Sequence, residues 1–478
     1  MHCTQYLHRM ILGALVTITL ACCSEPQPYL SSDLFITNTN VLDVEQGSWL
    51  TNQTVIVRDE TIFAIEPANQ VSIPDSATVV HDGGYVIPGL WDMHVHATTD
   101  PDFATDYAFP LYIANGITGV RDMGSVVAGL VETRSRLAAD PSLLAPELVA
   151  AGPLLDGVKL PWYGDLPLLL ESVEDVEAKL PGLIEQGVDF FKVYDQLPAD
   201  VYREVLRFAA ANNIQVAGHP PRAVGITEAA MAGQRSIEHL SEFSFMDCVS
   251  DPGSWFTRSI ETKFSGSTYD DYYQLLLDFH ASWIPEQCDG AVAALANNQT
   301  YLTPTMVMEL NDSSRTDTAA LAYLEPGARD WCETGLGNID GANGELREAV
   351  YTQHKDFLYR LHEAGIPLLA GSDNPNNCLV PGFSLHLELE RLVEAGLSEI
   401  EALRTATVNA ATWLGRESSE GRVAAGYKAN LLVLSADPLQ DISAAQQLAG
   451  VFSKGRWINE TGLADQLEKA AAWVARPQ

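Results

Sequence analysis

Tyr85-Val86-Ile87-Pro88-Gly89-Leu90-Trp91-Asp92-Met93-His94-Val95-His96 is the stretch on which the reading of this chain turns. An apolar run leads into two histidines one residue apart. On a β-strand, side chains two apart leave the same face, so both imidazoles point one way. Two neutral imidazoles converging at the end of a buried strand suit a divalent metal. Alone the pattern is weak. Four further candidate ligands strengthen it, each at the end of its own apolar segment: Lys192, His219, His239 and Asp373. Strand candidates fall near 87–93, 117–121, 147–151, 188–192, 214–219, 235–239, 301–307 and 367–373. Helical stretches lie between them, including 173–185 (interrupted at Pro181), 201–211 and 346–364. Alternating strand and helix predicts a parallel sheet, and eight such units predict a (β/α)8 TIM-like barrel. The chemistry of such a barrel sits at the carboxyl ends of its strands, where all these candidates lie.

The order H-x-H, Lys, His, His, Asp resembles the binuclear branch of the amidohydrolase superfamily. Local wording is similar to its imidazolonepropionase-like and metal-dependent prolidase-like group: Asn115-Gly116-Ile117-Thr118-Gly119-Val120-Arg121-Asp122, Phe191-Lys192-Val193-Tyr194, Ala217-Gly218-His219-Pro220, Gly371-Ser372-Asp373 and Ala402-Leu403-Arg404-Thr405-Ala406-Thr407. The resemblance covers roughly residues 33–460. It implies that the short strands before the barrel (34–37, 54–58, 62–65) and those after it (431–434, near 451–453) meet in one small β-sandwich. The expected organisation is a signal peptide at 1–23, a linker at 24–32, the N-terminal part of the sandwich at 33–86 and the barrel at 87–415. The C-terminal part of the sandwich follows at 416–460, then a terminal helix at 461–478.

The opening segment carries Arg9 and then the apolar stretch 10–21, too short to span a bilayer but suited to a signal peptide. Thr19-Leu20-Ala21-Cys22-Cys23-Ser24 resembles the bacterial lipoprotein cleavage box, with either Cys22 or Cys23 as the cleavage cysteine. An exported protein is expected, periplasmic or lipid-anchored to a bacterial cell envelope. Of seven cysteines, Cys248, Cys288, Cys332 and Cys378 lie outside that segment. No pair has C-x-x-C spacing, so loop-stapling disulfides are expected rather than a metal site, with three pairings open. A net charge of −35 excludes nucleic acid or anionic lipid as a partner. The expected partner is a small-molecule substrate, with the membrane touched only through the lipid anchor; self-association stays open.

By the resemblance, His94, His96 and Asp373 hold one divalent ion, His219 and His239 another, and Lys192 bridges them as a carbamate formed with carbon dioxide. Zinc is the expected metal, with manganese or cobalt as substitutes. A metal-bridged hydroxide would attack a carbonyl while Asp373 serves as general base and then general acid. Each ligand has a plainer reading: His219 a turn residue, His239 a core histidine, Asp373 a cap, and Lys192 an ion-pair partner of Asp195. Substrate contacts are expected from Tyr194, Arg222, Arg121, Trp162 and Tyr163. The loop 152–164 lacks a histidine that many prolidase-like members carry, so dipeptide specificity does not carry over. The expected activity is hydrolysis of amide-type C–N bonds in peptide-like or N-acyl amino acid substrates. Cyclic amides, esters or lactones and phosphotriesters are the alternatives on the same site, followed by a non-catalytic binding protein.

Overall fold

The computed structural model describes residues 29–159, 164–240, 245–264, 268–309, 319–335, 342–376 and 378–476. The expected signal peptide, and Trp162 and Tyr163, lie outside the described residues. The opening stretch of sequence divides in two. Tyr85–Pro88 is a strand of an outer sheet, and Leu90–Val95 begins the inner one. Gly89 makes the crossing, because a Cβ there would stand 2.2 Å from Thr118 Oγ1.

The inner architecture is TIM-barrel-like α/β. Strands Leu90–Val95, Ile117–Asp122 and Glu147–Ala150 pair in parallel. A six-stranded parallel sheet holds Phe190–Val193, Gln215–Gly218, Ser236–Glu238 and Tyr301–Thr303. Its remaining strands, Leu154–Asp156 and Pro167–Leu169, come from the segment after 147–150, where no strand was expected. The Asp189 amide donates to Ala150 O and joins the two sheets on one side. On the other side, the segment 367–374 joins them through isolated bridges, Leu302 with Leu368 and Val95 with Asn374. That segment forms no continuous strand, unlike the expectation for 367–373. Along Phe190–Val193 the side chains alternate as a pleat demands. Phe191 and Val193 pack on the apolar faces of helices Val173–Glu185 and Ala199–Ala211, while Phe190 joins Trp91, Met93 and Trp413. Helix Val173–Glu185 runs through Pro181 without the expected break. The proline is exposed, so water can take the carbonyl bond it forfeits.

The two chain ends share one eight-stranded sheet, in which Leu431–Leu434 pairs with Tyr85–Pro88. Leu431 and Val433 enter a small core with Ile36, Val55 and Ile62, while Leu432 and Leu434 face the main core. The sheet curls. Ile62, on the strand Thr61–Pro67 at one end of the order, exchanges backbone bonds with the segment 426–427 that leads into Leu431–Leu434. The terminal helix spans Glu460–Val474, and no helix among the described residues is long and apolar enough to cross a membrane.

The long connections above the inner strands are helical. Pro252–Phe264, Tyr269–Ala281 and Pro285–Asn297 follow Ser236–Glu238, where only 272–280 was expected. Disulfides pair the cysteines in chain order, Cys248 with Cys288 and Cys332 with Cys378. The second ties helix Pro326–Gly335 to the segment just past Asp373. The bridged residues are 46 apart in sequence, and a loop of that order predicts a loss of about 3–4 kcal/mol when the bond is removed. The paired substitution Cys332→Ser/Cys378→Ser should therefore lower the urea midpoint clearly and, because the freed unfolded chain exposes more surface, raise the slope. An unmoved midpoint would show that the bond does not restrain the unfolded chain.

Candidate metal centre

The structure brings His94, His96, Lys192, His219, His239 and Asp373 together at the carboxyl ends of their strands. His94 Nε2 and His96 Nε2 lie 3.4 and 3.2 Å from the same oxygen, Asp373 Oδ1. Lys192 Nζ is 3.4 Å from His94 Nε2. The His239 ring is 4.7 Å from that of His94 and 5.0 Å from that of His219, centroid to centroid. One donor atom each from His94, His239 and Asp373 falls within 4.8 Å of the others, a spacing one cation can span.

The backbone is bent to make this possible. His239 and Asp373 have φ of +68° and +58°, a left-handed conformation uncommon among non-glycine residues. Gly371 lets the segment before Asp373 pass close to the H-x-H strand, since a Cβ there would sit 2.7 Å from that of His94. Asp92 ties the same two segments, accepting from the His94 and Ser372 amides and from Ser372 Oγ. Burial pushes the Asp92 carboxyl up to about 7 against those bonds. Asp122 shapes the turn after His96 by accepting from the amides of Ala97, Thr98 and Gly124.

Each of the four imidazoles is held from behind at Nδ1. His94 meets Glu238 Oε2 at 3.0 Å, His96 meets Gly124 O at 2.9 Å and His219 meets Asp195 Oδ1 at 2.9 Å. His239 meets Thr305 Oγ1 at 2.7 Å. A carbonyl or carboxylate can only accept, so the proton of His94, His96 and His219 sits on Nδ1 and the Nε2 lone pair is presented to the centre. Metal-ligating histidines are supported in this way. His94 Nε2 and His96 Nε2 therefore face Asp373 Oδ1 acceptor to acceptor. Asp373 Oδ1 and His219 Nε2 are buried with no hydrogen-bond partner. Lys192 Nζ reaches His94 Nε2, and a further cation among the other acceptors would relieve their repulsion, so the residues fit a metal.

Burial sets the electrostatics. It pushes the His94 imidazole well below its ordinary range, with Lys192 adding to the effect, and takes His239 down to about 3. Both rings are thus neutral donors. Burial also lowers the Lys192 ammonium, against the pull of Asp373 and Glu238, which favours the nucleophilic amine. For Asp373, burial pushes upward, and only positive charge placed beside it, as on protonated His94, His96 and His239 rings, outweighs this and brings the carboxyl below its usual range.

The expected substrate contacts divide. Tyr194 stacks on His219, ring centroids 4.2 Å apart, at the edge of the centre. Arg222 reaches Asp195 Oδ2 at 3.5 Å and lies against the Phe256 ring. Arg121 is in a different place from the one expected. It has no solvent exposure and donates to Met93 O, Ser236 Oγ, Thr303 Oγ1 and Glu238, so it is sealed beneath the ligands rather than offered to a substrate. Asp195 is the partner of His219 and Arg222 rather than the expected partner of Lys192. Glu238, Asp195 and Thr305 were not expected as ligand supports. The one sign of Glu238 in the sequence was a carboxylate inside a strand whose neighbours are buried, which requires a buried partner.

The Amidohydrolase family model matches residues 85–458. Among characterised proteins, ochratoxinase from Aspergillus niger is 22% identical, the match covering 87% of this chain and 85% of the relative. Imidazolonepropionase from Symbiobacterium thermophilum is 26% identical over 85% of this chain and 89% of its own. The solved structure of bottromycin amidohydrolase superposes with a TM-score of 0.72 at 20% identity, covering 92% of this chain and 90% of that one. The likeness of fold and the match to the family model agree with the geometry of the centre: this chain belongs to the amidohydrolase family and is a hydrolase acting on carbon–nitrogen bonds.

Proposed function

We propose that this chain is an exported metal-dependent hydrolase that cleaves amide-type C–N bonds in peptide-like or N-acyl amino acid substrates. The observation that carries the reading is the convergence of His94 Nε2 and His96 Nε2 on Asp373 Oδ1, at 3.4 and 3.2 Å, with Asp373 Oδ1 and His219 Nε2 buried and lacking a hydrogen-bond partner. In this reading the parallel segments are the eight staves of one closed barrel, and the curled outer sheet is the small sandwich made by both chain ends.

His94, His96 and Asp373 would hold one divalent ion and His219 and His239 a second, zinc suiting this donor set. Lys192 would lie between them as a carbamate: its neutral Nζ adds to carbon dioxide, an N–C bond forms and one proton leaves to solvent. Bound there, the metals would supply Lewis acidity and a water acidic enough to ionise near neutral pH. Asp373 takes the proton of the attacking water on its carboxylate and returns it to the departing nitrogen, which leaves as a neutral amine. Tyr194, braced on His219, offers an aromatic wall beside the scissile bond, and Arg222 offers a cation for a substrate carboxylate. The two disulfides support an oxidising compartment, periplasmic or at the cell envelope.

The test is hydrolysis of a panel of N-acyl amino acids, dipeptides, cyclic amides, lactones and phosphotriesters by the purified mature chain. Turnover of open-chain amides, lost on chelation and restored by zinc, is the expected result. Turnover confined to lactones or phosphotriesters would overturn the amide assignment while keeping the centre.

A further inference from the structure

Glu238 is a buried carboxyl group that the chemistry above does not use, yet it touches a candidate ligand. It ends the strand Ser236–Glu238 with no solvent exposure, and its Oε2 lies 3.0 Å from His94 Nδ1. The same carboxylate accepts from Arg121 Nη2 at 2.9 and 2.8 Å and from Ser236 Oγ at 2.7 Å. Arg121 is itself pinned, donating to Met93 O at 2.5 Å and to Thr303 Oγ1 at 3.1 Å, with its guanidinium 4.4 Å from the Trp413 ring centroid. Four inner strands thus converge on one ion pair directly behind the H-x-H motif.

We infer that Glu238 is a positioning residue: fixed by Arg121 and Ser236, its carboxylate holds the His94 proton on Nδ1 and aims the Nε2 lone pair at the metal centre. The inference rests on the metal-centre reading above. A neutral imidazole carries one proton, and His94 has two places to spend it. On Nε2 the proton would point at Asp373 Oδ1, 3.4 Å away, and an Nε2–H bond to that carboxylate would tie up two metal ligands at once. Glu238 removes this competing state by claiming the proton on the far side of the ring. Arg121 fixes the carboxylate from the other side, its Nη2 lying 2.8 Å from Oε2, the oxygen that faces His94 Nδ1. His96 and His219 are held by similar acceptors, Gly124 O and Asp195, but neither of those is paired with a fully buried guanidinium.

The experiment uses the full mature chain as wild type, Glu238→Gln, Glu238→Asp and Ser236→Ala. E238D keeps an anion for Arg121 but draws it away from His94. S236A removes a bond to the same carboxylate and leaves the His94 contact in place. Zinc-loaded samples are challenged with a chelator, and metal-free samples are melted to separate folding from binding. The expected result is that E238Q and E238D lose zinc about 10–100-fold more readily than wild type, while S236A keeps the wild-type value. Unchanged zinc retention in E238Q and E238D, or an equal loss in S236A, would overturn the inference in favour of a packing role. The ¹⁵N spectrum of labelled histidine in metal-free wild type reads the tautomer directly, whether or not the variants fold. Protonation of His94 at Nδ1 is expected, and protonation at Nε2 would overturn the inference. A wild type that shows the Nδ1 tautomer but binds no zinc would refute the metal-centre reading and, with it, the role assigned to Glu238.

Discussion

Asp373→Asn is expected to lower kcat by about 10²–10⁴-fold, the range a positioned general acid–base supplies, with KM changed far less. The carboxylate is nine-tenths or more buried, and its Oδ1 has no hydrogen-bond partner although two imidazole nitrogens lie within 3.4 Å. Asparagine keeps the shape and one carbonyl oxygen, so the chain should fold and still offer a neutral ligand. It cannot take a proton from the attacking water or return one to a leaving nitrogen. Steady-state kinetics on an amide substrate reads the split. A loss confined to KM would place Asp373 in substrate binding and remove it from proton transfer.

Lys192→Met should act more broadly, taking metal and activity together. Lys192 is 2% exposed on a strand whose four residues are all buried, so methionine fills much the same apolar volume and the fold should persist. What disappears is the group between the two sets of histidines. As a carbamate it would supply one negative charge and two oxygens, and without it two dications would face each other across neutral imidazoles and a single carboxylate. Zinc content should fall below that of wild type, and turnover by at least the factor expected for D373N. Intact mass of the native wild type, sprayed without acid, should show one added carbon dioxide that K192M lacks. If K192M keeps wild-type zinc and turnover, Lys192 is a buried amine with no part in the centre.

The six candidate positions could be picked out because each closes an apolar run, and a strand-end rule places the ends of such runs on one rim, where the structure gathers them. The split at Gly89 was not legible. Residues 85–95 form one hydrophobic stretch in sequence, and only the contact of Gly89 with Thr118 shows that two sheets share it. Helix Val173–Glu185 continues through Pro181 because that position faces solvent, a fact that tertiary packing decides. The supports of the histidines were also hidden. Glu238, Asp195 and Thr305 lie 144, 24 and 66 residues from the rings they hold, and nothing local marks such pairings. Arg121 misled for the same reason. A charged residue near a strand end resembles a substrate contact until its buried partner, Glu238, is seen.

Metal content is the decisive measurement for a centre of this kind. The mature chain, purified without chelators and offered zinc and carbon dioxide, would be measured by elemental analysis against protein concentration. About two ions per chain are expected, as a His/Asp/carbamate donor set of this size would hold. A chain that binds no metal under those conditions would overturn the centre and leave the Lys192 ammonium as the cation among the acceptors around Asp373.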